Sequence, residues 1–169
     1  MAIRIQFCRT CFATYEHDDQ KGKIKRGWCK VCKGHELSAF SELKPVEKFI
    51  IAWYRFGIEG LDPMWARNGG EQRFDNTRRK IDFSWPHFKF GVEVDGYGPG
   101  HLNLGQIGRD HQKVNDAAVL GWTILRYTSA QFSQAGVEHA VEQCVSILTK
   151  LIILRDPSLT MKPIDQLPF

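Results

Sequence analysis

No uninterrupted apolar run in this chain approaches the roughly 20 residues that a membrane-spanning helix needs. A signal peptide is missing too, because Arg4 and Arg9 interrupt the only short apolar stretch within residues 1–11. Both absences lead us to expect a soluble, cytoplasmic protein. Internal repeats and low-complexity tracts are also absent, so neither a repeat array nor a compositionally biased tail is indicated. Cysteine is scarce, five among 169 residues. In a reducing compartment so few cysteines argue against a disulfide framework, and four of them have ligand spacing instead.

What is present is enough apolar material, 43% of residues, for one core and a small appendage. Residues 1–38 read as a compact unit of short strands and turns, too poor in apolar residues to hold a core of its own. A bound metal would offset that deficit. Residues 39–169 read as a second, larger domain. Val46, Phe49, Ile50, Trp53 and Phe56 recur at helical spacing behind Pro45, and Gly57 and Gly60 end the helix. Residues 62–70 read as a loop. Two strands follow, 79–85 and 90–95, joined by a tight connection at 86–89. The glycine-rich stretch 96–100 is a loop, a polar helix runs from 108 or 109 to 120, and 122–127 is a strand. A last helix over about 136–154 puts Val137, Val141, Cys144, Leu148 and Leu151 on one side, which makes Cys144 a small core residue. Residues 156–169, with three prolines, read as an extended tail. The order predicts an α/β domain with a mixed sheet flanked by helices.

Cys8 and Cys11 form one Cys-x2-Cys pair and Cys29 and Cys32 another, seventeen residues apart. Each such turn lets two thiolates grip one ion, and two turns close a tetrahedron, as in a zinc ribbon. Four sulfur ligands leave no open position, so the expected role is structural. Iron shares this ligand set, but nothing nearby points to electron transfer. The charge is uneven as well: residues 1–40 hold eight Lys/Arg against four Asp/Glu, and the remainder holds fifteen of each. A basic metal module suits a polyanionic partner. Alternatively, Lys21, Lys23, Lys25 and Arg26 simply face water.

A hairpin of the two central strands, turning between His87 and Phe88, places Asp82 opposite Glu93. Glu93 and Asp95 then share a face while Val94 points to the core. Opposed carboxylates about 5 Å apart repel unless protons or a cation neutralise them. Oxygen ligands of this kind suit Mg²⁺ or Mn²⁺, which polarise phosphodiesters and activate water. The bland alternative is a charged strand edge that blocks aggregation.

The run RRKIDFSWPHFKFGVEVDGYGPGH…GRDHQKVNDAAVLGWTILRYT resembles the PD-(D/E)XK nuclease superfamily, and within it the very-short-patch-repair-like branch of phage and bacteria. The similarity covers roughly residues 45–132. It implies a restriction-endonuclease-like fold, a central sheet with helices on both faces, and metal-dependent hydrolysis of DNA in a bacterial host cytoplasm. Asp82 matches the first acid of the family and Glu93 the second. Asp95 stands where the superfamily usually has lysine. The candidates for the replacement cation are Lys113, His101 and Lys80, in that order. Glu47 matches an acid that relatives place near the metal, and it is equally an ordinary first-turn glutamate. His101 reads as a general acid or phosphate contact, or as an exposed histidine. Asp110, Asn115 and Arg126 fit the pattern as polar support.

The expected function is a Mg²⁺- or Mn²⁺-dependent endodeoxyribonuclease that acts on double-stranded or branched DNA, with a structural Zn²⁺ in its first module. The alternative is a non-catalytic, zinc-containing nucleic-acid adaptor on a relic nuclease fold. RNA as substrate shares every motif. A homodimer is compatible with the apolar stretch 151–154, which equally serves as the end of a core helix.

Overall fold

The computed structural model describes residues 3–18, 28–33, 37–73, 80–95 and 104–155. His101, the basic run 21–26, the glycine-rich loop 96–100 and the tail 156–169 lie outside the described residues.

The cysteine-bearing segment forms a three-stranded antiparallel sheet. Its strands are β1 (Ile3–Cys8), β2 (Thr14–Asp18) and β3 (Leu37–Ala39), with β1 in the middle. The third strand reaches Ala39, so this sheet closes where the second unit was expected to begin. The unit does not stand alone. Phe7 packs with Leu43 and with Ile51 of helix α1 (Pro45–Phe56). That packing supplies apolar cover that residues 1–38 lack.

Helix α1 starts at Pro45, whose missing N–H is no loss in a first turn, and ends at Gly57. The stretch 62–70, expected to be a loop, contributes the short strand β4 (Met64–Trp65). Two residues are too few to show periodicity, and only pairing to a neighbour defines them. β5 (Gln72–Arg73) pairs with β6 (Lys80–Ile81) as a separate two-stranded ribbon. β7 (Phe83–Trp85), β8 (Phe90–Asp95) and β9 (Thr123–Thr128) complete a mixed sheet in the order β4-β7-β8-β9. The expected hairpin register holds, with Phe83 facing Val92 and Trp85 facing Phe90. The connection is a 3-10 turn closed by Lys89 in the left-handed conformation. One correction concerns Asp82. The expected continuous strand 79–85 is broken there by a bend, so Asp82 is not a ladder residue opposite Glu93.

Strand β8 runs parallel to β9 through helix α2 (Leu104–Val119), which begins earlier than residue 108. Helix α3 (Gln134–Arg155) follows. The sheet sorts its two faces by strand alternation. Phe90, Val92 and Val94 join Phe83, Trp85 and Tyr127 against Phe49 and Trp53 of α1 and Val141, Cys144 and Leu148 of α3. On the other face Ile81, Trp122 and Ile124 pack on Ala117 of α2. Gly91 belongs to this second face. A Cβ there would meet Cγ2 of Ile81 at 2.7 Å, so glycine is what lets Ile81 lie flat on β8. The class is therefore α/β, with one mixed sheet, two antiparallel ones and three α-helices among the described residues.

Candidate functional site

The first CxxC turn leaves the end of β1 and the second is carried by residues 28–33. Cys8 is fully buried, and its backbone N–H donates to Ala13, which folds the first knuckle back on itself. The four sulfurs converge: Cys8 and Cys32 are 3.5 Å apart, Cys11 and Cys29 are 3.4 Å apart, and all lie within 4.8 Å of one another. A tetrahedral ion with metal–sulfur bonds of about 2.3 Å requires sulfur–sulfur edges of about 3.8 Å. The four cysteines therefore fit a metal ion with little adjustment. Burial pushes the Cys29 thiol up. The Cys32 backbone N–H, the Tyr15 hydroxyl at 3.2 Å and the Cys11 thiol outweigh it and bring Cys29 down to about 6. A ready thiolate is the form that ligates.

The knuckle is tied to the second unit by charge. Arg9, inside the first CxxC turn, donates from Nε and Nη2 to Oε2 of Glu47, at 3.2 and 3.0 Å. Arg67 lies 3.5 Å from Oε1, and the Lys44 backbone N–H also donates to Oε2, at 2.8 Å. Glu47 is 3% exposed, so these partners hold a nearly dehydrated carboxylate. The acid expected near a catalytic metal is thus engaged by two arginines and its own helix start. No contact brings it to Asp82 or Glu93 among the described residues.

The acidic residues lie on the α2 face of the sheet. By strand alternation Gly91, Glu93 and Asp95 face the same way, and Arg126 of β9 stands directly beside Glu93 in the ladder. Lys113 from α2 donates to both carboxylate oxygens of Glu93 at 2.7 Å and also to the Lys80 carbonyl. Arg126 holds both oxygens of Asp95, at 2.8 and 3.0 Å, and lies 3.9 Å from Asp110. Asp82 turns its Oδ2 onto the Val94 backbone N–H at 2.8 Å, a contact made possible by the bend that removes it from the ladder.

Burial raises Glu93 to about 7, against the pull of Lys113 and with a further upward push from Asp82. Asp82 is also raised, first by burial, while the Val94 N–H and Lys113 lower it and Glu71 and Asp95 raise it. Both acids are largely dehydrated, and the charge of Asp82 opposes ionisation of Glu93. The three carboxylates nonetheless do not converge as expected. Among the described residues, the cysteines are the one group of three or more acid, histidine or cysteine side chains with ligand atoms within 4.8 Å of one another. Lys113 draws Glu93 one way and Arg126 draws Asp95 another.

Lys80 also differs from expectation. The bend at Asp82 cancels its parity with that residue, and its ammonium pairs with Glu71 at 3.0 Å on the rim. Glu71 itself was not anticipated, because no periodic pattern marks a residue ahead of a two-residue strand. Arg126 was expected only as polar support. Its position beside Glu93 depends on the register of a parallel pair, which local sequence does not encode. Asn115 and Asp110 sit on α2, on the same helix as Lys113.

No protein-family model, no curated protein and no solved structure matches this chain.

Proposed function

We propose that the protein is a divalent-metal-dependent endonuclease of the PD-(D/E)XK type, with a restriction-endonuclease-like core and a structural zinc at Cys8, Cys11, Cys29 and Cys32. The observation that carries this reading is the meeting of Glu93, Asp82 and Lys113 on one face of the sheet, with both acids raised by burial. Perturbed acids beside an ammonium on one sheet face are the kind of group that metal-assisted phosphodiester hydrolysis uses.

The donor set fits a hard cation. Asp82 and Glu93 would be oxygen ligands, and a divalent ion would relieve the cost of the burial that raises both and the push of Asp82 on Glu93. Asp82 and Glu93 would hold it, with Asp95 at the edge of the site. A bound Mg²⁺ or Mn²⁺ supplies Lewis acidity towards a phosphodiester oxygen. The chain's own groups do the rest. The Val94 N–H fixes the rotamer of Asp82. Lys113 replaces the usual motif lysine by reaching in from α2, and it offers its ammonium to charge building on phosphate oxygens. Arg126 occupies the oxygens of Asp95 and so keeps the residue in the lysine's usual position neutralised.

The second reading is a non-catalytic nucleic-acid adaptor. It is favoured by the way Lys113 and Arg126 already satisfy Glu93 and Asp95. The two are separated by incubating supercoiled plasmid, branched DNA and RNA with the protein and Mg²⁺ or Mn²⁺, beside Asp82→Ala and Glu93→Gln. Metal-dependent nicking lost in both variants supports the nuclease. Binding with no cutting of any substrate supports the adaptor.

A further inference from the structure

The chain has five tryptophans, and four of them are between 2% and 9% exposed. Trp28 is 69% exposed. It stands immediately before Cys29, whose side chain is buried in the sulfur cluster. Val31, between the two ligands of the same turn, is 68% exposed. Lys30 and Lys33 are exposed beside them, and no acidic residue falls within 28–33. The turn is firmly built: the Lys30 N–H donates to the Tyr15 hydroxyl at 2.9 Å, and the Lys33 N–H donates to the Cys29 carbonyl at 3.0 Å. Lys33 is held at a φ of 53°, a conformation that favours glycine and asparagine. A hydrogen-bonded turn thus exposes an indole and a valine within six residues that also expose two lysines. None of these four side chains is needed to fill a core.

We propose that this outer face of the second knuckle docks a nucleic-acid strand, with Trp28 stacking on an unpaired base and Lys30 and Lys33 meeting the flanking phosphates. The proposal deepens the nucleic-acid reading above and rests on it for the class of partner. Charge complementarity selects that partner. All the excess positive charge of the chain falls in residues 1–40, while the rest is balanced. An exposed aromatic with cations close behind it in one short turn suits a base and the phosphates beside it, and stacking needs a base freed from its pair. Lysines that served only to offset the thiolates would not call for an indole beside them.

Trp28 also provides its own readout. Because the other four indoles are buried, quenching by iodide and the red-shifted part of the emission report mainly on this residue. The zinc-loaded full chain, with no further divalent ion, is titrated with short labelled oligonucleotides as single-stranded DNA, duplex DNA and single-stranded RNA, and with anionic lipid vesicles. The expected result is loss of iodide access and a change in Trp28 emission on single strands, with weaker effects on duplex. Trp28→Ala should weaken single-strand binding by roughly 10-fold, and Trp28→Phe should recover most of it. Lys30→Gln with Lys33→Asn should flatten the salt dependence by about one to two phosphate contacts. The DNA and RNA arms decide which strand is preferred. Metal stoichiometry at the cysteines checks each variant, and the wild-type emission change stands even for a variant that fails that check.

Unchanged emission on bound single strands overturns the proposal, as does a response to vesicles alone. If plasmid is still cut with Mn²⁺ in that case, the nuclease reading survives without this surface. If Trp28 responds to single strands but nothing is cut, the surface stands and the nuclease reading fails.

Discussion

Lys113 Nζ lies 2.7 Å from both carboxylate oxygens of Glu93, across the gap between α2 and the sheet. Neither side chain is more than a fifth exposed, at 19% and 11%. The pair links an acid on a central strand to a cation that follows it by twenty residues, and the packing of α2 on Ile81 and β9 sets its geometry.

Removing one partner of such a pair leaves the other buried without its counter-charge. Lys113→Met should therefore lower stability by about 2–4 kcal/mol in urea denaturation, and Glu93→Gln alone by less, because an amide tolerates dehydration better than a carboxylate. The double variant should recover part of the loss. Strict additivity in that cycle would mean that the pair does not couple.

The raised Glu93 also gives a pH signature in protein without added divalent ion. Its ordinary value is 4.5 and its folded value is about 7. Between those limits the folded chain keeps a proton that the unfolded chain releases, so stability falls as pH rises through the window, by an amount on the order of 1–3 kcal/mol. Thermal melts from pH 4.5 to 7.5 should show this slope in wild type and a shallower one in Glu93→Gln. Added Mn²⁺ should reverse the trend above pH 7 if it competes for the same carboxylate.

Stripping the cysteine cluster should destabilise more than the knuckle. Phe7 packs on α1, and Arg9 holds Glu47, so if the cysteines hold an ion, its removal should loosen the seam between the two units. A mercurial reagent should release one zinc per chain, and the melting temperature should drop by more than about 5 °C. Cys29→Ser should reproduce the drop, and zinc should restore the stripped wild type but not the variant.

Glu47 offers a sharp contrast with Asp82. Its oxygens are taken by Arg9, Arg67 and the Lys44 N–H. Glu47→Gln should cost about 1–3 kcal/mol of stability and change metal-dependent cleavage per folded molecule by less than about 3-fold, or roughly 0.7 kcal/mol in barrier. A loss of cutting as deep as that of Asp82→Ala would return Glu47 to the reaction itself.

The hairpin register at Phe83 and Val92, the start of α1 at Pro45 and the sulfur convergence were readable from the chain because each is local. A turn of known length, a residue without an N–H and a paired CxxC all carry their geometry over a few residues. The bend at Asp82 was not legible, because strand alternation assumes an unbroken ladder. The pairing of Lys80 with Glu71 went unseen for the same reason.

Amino-acid order by itself determined the α/β class, the four-sulfur knuckle and the face on which Glu93 and Asp95 lie, since spacing along a strand or turn sets these directly. Tertiary structure alone decided that Glu47 belongs to Arg9 and Arg67, that Arg126 rather than a lysine stands over Asp95, and that Lys113 reaches Glu93. Those three pairings join elements distant in the chain. Their partners are chosen by how helices settle on a sheet, where burial makes an unmatched charge too costly to leave alone.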